Sequence, residues 1–432
     1  MLSDLTLHDV GPLDSVHVEF NERLNIFAGD NGLGKTFLLD FAWWALTGTW
    51  AGLPALPHLG DKATPEAGFH FVHAPDSASA NSPPQVGQSK IYAFNYKSQT
   101  WAPRSLGSHS GWPAVYARAD GGFSVYDPYR ASGDAREYDE VGRNRTYHFT
   151  AATLWDGLEE AGRVLCNGLI RDWVNWQNQP NQGIASPFQI LMRVVGKLSH
   201  PDEPIRPGQS TIRVSLGDVR DIPTIDMGYG IVPVTHASAG VKRILGLAYL
   251  LVWTWSEHGQ LSKLVKMKPR SQMDVLVDEA ELHLHPRWQR SIVPALLDVG
   301  SSLDAAVTTQ LIVTTHSPMV LASVEPGFDT ARDKLFLFEI HGGKVTLDEK
   351  PWSKQGDATN WLTSEIFGLD QARSREAEAA IEAAEAFMRG DPTMLPAGLK
   401  TKDEIHRELI RVLASHDPFW SRWIVKGYEG LP

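Results

Sequence analysis

The chain is predicted to be an α/β protein, and two observations carry the prediction. A glycine-rich turn, Gly29-Asp30-Asn31-Gly32-Leu33-Gly34-Lys35-Thr36, lies between an apolar run, Leu24-Asn25-Ile26-Phe27-Ala28, and a helical stretch, Phe37-Leu38-Leu39-Asp40-Phe41-Ala42. Two further apolar runs, Met273–Val277 and Leu311–Thr314, read as buried strands and end in polar residues, Asp278-Glu279 and Thr315-His316-Ser317. Short apolar runs alternating with helical patterns are the signature of a sheet layered with helices.

The glycine-rich turn fills every fixed position of G-x-x-x-x-G-K-[ST], in the strand–loop–helix context that pattern demands. Gly29, Gly32 and Gly34 let backbone N–H groups turn inward, and Asp30, Asn31 and Leu33 complete a phosphate cradle at a helix N-terminus. Lys35 is placed to reach the β- and γ-phosphates of ATP. Thr36 offers a hydroxyl to Mg²⁺, a cation that keeps most of its waters and takes few protein ligands. Asp278 at a strand tip would hold the same Mg²⁺ through water, and Glu279 would orient or deprotonate the attacking water. His316, at the end of the next apolar strand, is within the same order of motifs and is a candidate contact for the γ-phosphate.

A second anion cradle is expected at Ala237-Ser238-Ala239-Gly240-Val241-Lys242-Arg243, where Ser238 can cap the apolar helix that continues from Ile244 to Trp253. One ATP needs one cradle. A second makes physical sense if Ser238 and Gly240 serve the ATP held by another subunit.

The remaining elements follow in order. Alternating Leu5 and Leu7, then Val16, Val18 and Phe20, read as strands at a sheet edge feeding the nucleotide site. Residues 51 to 90 are rich in Pro, Gly, Ala and Ser and read as a mobile surface insertion, culminating in the run from Asp76 to Pro84. Ile91–Phe94, Ala114–Ala117 and Phe123–Tyr126 return to strand character, the first of them expected beside the nucleotide core. Thr153–Trp176 and Phe188–Leu198 have helical apolar spacing, and Val214–Leu216 and Ile231–Val234 resume strands. Near the C-terminus, Glu376–Met388 and Asp403–Leu413 read as amphipathic helices. Of the 15 tryptophans, Trp43, Trp44, Trp173, Trp176, Trp253 and Trp255 lie in helical apolar patterns, which favours core packing over a stacking platform for nucleic acid.

Composition narrows the class. With 432 residues, 42% of them hydrophobic and 21% charged, the chain can bury a large core. A net charge of −11 gives no support to a surface that binds nucleic acid throughout. The single cysteine, Cys166, excludes an internal disulfide framework and fits a reducing cytoplasmic setting. The longest apolar run, Ile244–Trp255, is too short to span a bilayer, and no signal peptide is read at the start, so no membrane partner is expected.

The four ordered motifs, Gly29–Thr36, Ser238-Ala239-Gly240-Val241-Lys242, Asp278-Glu279 and His316, resemble the Walker A, signature, Walker B with catalytic glutamate, and switch histidine of ABC-type ATPases. The resemblance is to the SMC, RecF and OLD-like branch. The runs Asp278–Gln289 and Thr314–Pro318 are similar to AAA-family ATPases of bacterial anti-phage systems such as Septu. Ala239 and Val241 stand where transporter subunits carry Gly and Gln. The likeness covers residues 1 to 50 and 230 to 340 and says little of what lies between.

The resemblance implies an ABC-type P-loop ATPase head with a mixed sheet, an inserted α+β lobe and a helical C-terminal region. Its core would take residues 1–50 and 230–345, the inserted lobe 51–229 and the accessory region 346–432. It further implies a homodimer or higher homo-oligomer that sandwiches ATP between Lys35 and Thr36 of one chain and Ser238 and Gly240 of the other. Gln99 is the candidate for the metal-sensing glutamine. No clustered acidic motif of a nuclease follows residue 345, so a separate effector protein is expected. A RecF-like DNA repair ATPase, with nucleic acid as partner, and a transporter nucleotide-binding subunit are the alternatives. Glu281, His283 and His285 also have the residue types of a zinc site, but in the resembling family they form a loop facing the partner subunit.

Overall fold

The computed structural model describes residues 1–58, 64–73, 85–86, 90–102, 111–131, 146–179, 183–391, 393 and 395–428. The chain divides into two compact units, Met1–Gly356 and Asp357–Pro432.

The first unit holds two sheets. Strands β1 (Leu2–Val10), β2 (Leu13–Glu19), β4 (Glu66–His73) and β5 (Lys90–Asn95) form an antiparallel sheet in the order β2-β1-β4-β5, with short strands Gln85–Val86 and Thr100–Trp101 added. The main sheet adds β3 (Leu24–Gly29), β6 (Ala114–Ala117), β7 (Phe123–Tyr126), β8 (Thr146–Phe149), β9 (Gln272–Val277), β10 (Thr308–Thr314), β11 (Asp333–His341) and β12 (Lys344–Lys350). Its order is β8-β7-β6-β9-β10-β3-β11-β12. The run β6-β9-β10-β3-β11 is parallel and both edges are antiparallel, so the sheet is mixed as expected. β9 is buried at every position, the pattern of a strand covered on both faces.

Helix α1 (Lys35–Thr47) packs between the two sheets. Leu5, Leu7, Val16 and Val18 of the antiparallel sheet, Phe41, Trp43 and Trp44 of α1, and Phe27, Leu276, Ile312, Phe336 and Phe338 of the main sheet share one apolar cluster. Trp44 stacks on Trp50 at 5.3 Å and meets Tyr92 edge-on at the same centroid distance. Aromatic side chains of this size bury roughly 150–250 Å² each, so truncating Trp44 would cost about 3–5 kcal/mol. Of the six tryptophans read as core, Trp43, Trp44, Trp173, Trp176 and Trp253 are buried, whereas Trp255 is half-buried. The phosphate-loop helix is thereby fixed by bulk on both sides.

Four elements differ from expectation. β5 lies in the antiparallel sheet, not beside the nucleotide core; the strand there is β6, which pairs with β9. Glu66–His73 is a strand at the middle of its sheet, not part of a mobile insertion, because Ala67 and Phe69 bury on one face while the surrounding Pro, Gly and Ala conceal that alternation; the run Asp76–Pro84 lies outside the described residues. The helix expected over 153–176 is broken into Ala151–Asp156, a hairpin of Leu158–Glu160 with Arg163–Cys166, and Leu169–Gln177. Gly157 (φ 110°) and Gly168 (φ 85°) make the breaks. Val214–Leu216 is not a strand, whereas Ile231–Pro233 is.

α2 (Ala239–Leu264) is buried almost continuously from Ile244 to Thr254, which explains its apolar sequence without a membrane. Among the described residues no helix is long and apolar enough to cross one. Helices α3 (Pro286–Leu297) and α4 (Pro318–Val324) follow β9 and β10. β12 belongs to the main sheet, so the first unit runs on to Gly356, past the boundary expected at 345.

The second unit packs α5 (Arg375–Arg389), α6 (Lys402–Val412) and α7 (Phe419–Tyr428). Ala377, Ala380, Ile381, Ala384, Ile405, Leu409 and Trp423 form its core. Thr401 and Glu404 form a capping box at the start of α6.

Candidate functional site

The site lies where the parallel strands end. β3 delivers the chain into Gly29–Thr36. At Gly29 (φ 134°) a Cβ would fall 2.5 Å from the Phe338 carbonyl oxygen on β11, so a side chain there would push the loop off the sheet. Gly34 (φ 102°) begins α1, and a Cβ there would meet Pro12 Cγ at 2.7 Å. Leu33 is buried in the apolar cluster beneath, while Asp30, Asn31 and Gly32 are exposed. The loop is pinned from below and open above.

Lys35 folds back over this loop. Its Nζ donates to the carbonyls of Gly29 at 2.9 Å and Asp30 at 2.6 Å. Burial pushes its pKa down to about 8, against the pull of Asp278, Asp30, Glu279 and Glu281. Among the described residues it makes no ion pair, so its charge is available to an anion placed in the loop.

Asp278 follows β9 and is fully buried. Its Oδ2 accepts from Thr36 Oγ1 at 2.7 Å and its Oδ1 accepts from Thr314 Oγ1 at 2.6 Å. Thr314 Oγ1 also accepts the Glu279 N–H at 2.8 Å, so one hydroxyl of β10 sets both carboxylate residues. Glu279 sits at φ 50°, which turns its side chain out of the strand path. Its Oε1 lies 3.9 Å from His316 Nε2, and both side chains are partly exposed. Thr36, Asp278, Glu279 and His316 therefore converge.

Ser238 caps α2 by accepting the Val241 N–H at 3.4 Å, and stays exposed. A Cβ on Gly240 would lie 2.7 Å from the His283 carbonyl oxygen, so the start of α2 rests on the loop after Glu279. Among the described residues no hydrogen bond joins Ser238 or Gly240 to Gly29–Thr36 of the same chain.

Gln99 is not brought to this centre by any described contact. It is exposed at φ 53° in the turn after β5, with its amide donating to the Tyr96 carbonyl at 2.7 Å. The strand that emerges beside Asp278 is β6: the Asp278 N–H donates to the Ala117 carbonyl at 2.8 Å, and Arg118 and Asp120 follow. The zinc grouping is absent among the described residues, since Glu281 engages Thr315 and His316 and the His285 ring caps α3.

Sequence reasoning missed Thr314, Glu281 and Arg243 as parts of this centre. Arg243, at the start of the second turn of α2, donates to the carbonyls of Arg118 at 3.1 Å and Asp278 at 3.0 Å. Burial lowers its pKa while the carboxylates of Asp278, Glu279, Glu281 and Asp120 oppose the shift. A charged residue within an apolar helix, and a threonine closing an apolar strand, were the available signals.

The Thr36 hydroxyl and Asp278 carboxylate are hard oxygen donors, the set that Mg²⁺ takes beside phosphate. A glycine loop on a helix N-terminus, its lysine, and a buried aspartate bonded to the loop threonine define a P-loop nucleotide-binding domain. The chain belongs to the family described as "AAA domain, putative AbiEii toxin, Type IV TA system", whose profile matches residues 24–322. It is 21% identical over 398 residues to the Septu protein PtuA of Bacillus thuringiensis, covering 87% of this chain and 86% of that one. It is 32% identical over 97 residues to the "Retron Ec83 probable ATPase" of Escherichia coli, a match spanning 22% of this chain and only 15% of that relative. An SMC head domain from Thermotoga maritima aligns over 81% of this chain and 99% of its own at 14% identity and a TM-score of 0.36, too loose a likeness to bear on function.

Proposed function

We propose that the protein binds ATP with Mg²⁺ and hydrolyses it as a conformational switch, as a head-to-head dimer within an anti-phage defence complex that includes a separate effector protein. The observation that carries the reading is the Thr36–Asp278–Thr314–Glu279 network, which ties the phosphate loop to two carboxylates at the ends of neighbouring central strands.

In this reading the loop N–H groups and Lys35 hold the phosphates, Lys35 leaving the carbonyls of Gly29 and Asp30 to do so. Thr36 and Asp278 would hold Mg²⁺, which would neutralise charge on the phosphate oxygens. Glu279 accepts a proton from the attacking water at its carboxylate, and His316 contacts the γ-phosphate. Ser238 and Gly240, which among the described residues no hydrogen bond ties to their own phosphate loop, face the ATP of the partner subunit. The dimer is isologous and opens after hydrolysis, so nucleotide state becomes shape. The defence setting is supported by the similarity to Septu and retron proteins.

Phosphate release by the purified chain with ATP and Mg²⁺, compared with Lys35→Ala, tests the reading. Turnover lost in a variant that keeps its thermal transition supports it. Equal turnover in both would overturn it.

A further inference from the structure

We propose that Glu281 is a positioning residue that sets His316 against Glu279, a proposal that rests on the ATPase reading above. Both of its carboxylate oxygens are committed to the turn that carries the histidine. Oε2 accepts from Thr315 Oγ1 at 2.8 Å, and Oε1 accepts the backbone N–H of His316. Hydrogen bonds to a carboxylate are roughly twice as strong as neutral ones, so this pair ties the turn firmly to the bend after Glu279.

The tie is reinforced on each side. Thr315 Oγ1 accepts the Ser317 N–H at 3.0 Å, Ser317 Oγ donates to Gln289 Oε1 at 2.7 Å, and Gln289 Nε2 donates to the Leu284 carbonyl at 2.9 Å. The segment that holds Glu281 is itself a fixed bend. Glu279 and His283 take φ values of 50° and 63°, and the N–H groups of Leu282 and Leu284 bond the carbonyls of Glu279 and Glu281 at 2.9 Å each. Gly240 of α2 rests against His283 of the same bend.

The consequence is geometric. Glu279 stands two residues before Glu281 on the bend, and His316 hangs from the turn that Glu281 holds. Their 3.9 Å separation thus depends on a carboxylate that bonds the backbone of the histidine's turn and hydrogen-bonds neither the Glu279 carboxylate nor the His316 ring. Displacing the turn by about 1 Å would cost on the order of a hundredfold in rate if His316 must meet a phosphate in register. Movement at the start of α2 would reach His316 by the same path.

The test is a double-mutant cycle in kcat, with Glu281→Ala, His316→Ala and the pair, each checked by ATP affinity and thermal transition. We expect Glu281→Ala to lower kcat about ten- to hundredfold with ATP affinity within about twofold of wild type. The pair should be no slower than His316→Ala alone. Glu281→Gln, which keeps an oxygen for the His316 N–H and an amide for Thr315 Oγ1, should recover part of the rate. If the alanine variant does not fold, the glutamine variant serves in the same cycle. Additive losses, or a wild-type rate in Glu281→Ala, would overturn the proposal while wild-type turnover leaves the ATPase reading standing. A wild-type chain without turnover overturns both.

Discussion

Thr36 and Asp278, 242 positions apart in the chain, are joined by a hydrogen bond of 2.7 Å from Oγ1 to Oδ2. The bond spans the loop after β3 and the tip of β9, with β10 between them, and Thr314 of β10 fills the second oxygen of the same carboxylate. The two hard oxygen donors are therefore placed by the sheet before any ligand arrives. Preorganisation of this kind lowers the cost of ordering the site when ATP and Mg²⁺ bind.

Thr314→Val keeps the shape of the β10 side chain and removes its hydroxyl. It leaves a buried carboxylate oxygen and the Glu279 N–H without that partner, a cost of about 1–3 kcal/mol. We expect thermal unfolding to move down by a few degrees and turnover to fall more than ATP affinity. Unchanged melting and turnover would show that the hydroxyl does not set the carboxylates.

Legibility of the site in the sequence followed the range of the interactions. Gly29–Thr36 could be read because every constraint on it is local: glycines where the backbone turns and a lysine and threonine at the helix start. Asp278 and Glu279 could be read because an apolar strand ending in two carboxylates is unusual within a few residues. Thr314 and Glu281 could not, since each acts on partners more than 30 positions away and looks like an ordinary polar end or loop residue. Gln99 has the residue type of a metal-sensing glutamine but no strand beside Asp278 carries it, and the sheet puts β6 with Arg118 and Asp120 there instead. The helix read over 153–176 failed where Gly157 and Gly168 turn the chain, because apolar spacing alone does not register a positive φ.

Lys35 makes ATP affinity depend on pH. Burial brings its pKa from 10.5 down to about 8, so above that pH the empty protein releases a proton that the unfolded chain would keep. Phosphate oxygens favour the charged amine, so binding ATP above pH 8 must take the proton back. Affinity should be flat below about pH 8 and fall by up to about tenfold per pH unit above it, with proton uptake visible as buffer-dependent binding heat. Affinity that does not fall between about pH 8 and 9.5 would contradict a depressed Lys35.

Ser238→Arg places a bulky cation at the exposed start of α2 without touching the phosphate loop. We expect ATP binding within about threefold of wild type and loss of ATP-dependent dimers in light scattering, because the cradle offered to the partner's ATP is filled. Normal ATP-induced dimers would contradict the sandwich.

Glu279→Gln addresses the central claim, that this centre binds ATP and uses Glu279 to hydrolyse it. The amide keeps the size of the side chain and the backbone bond to Thr314, but cannot take a proton from water. The measurement is ATP affinity and phosphate release on the same preparation of wild type and variant. The account predicts binding within about threefold of wild type and turnover reduced by about 10²–10⁴. Turnover within a few-fold of wild type, with ATP bound, would contradict it.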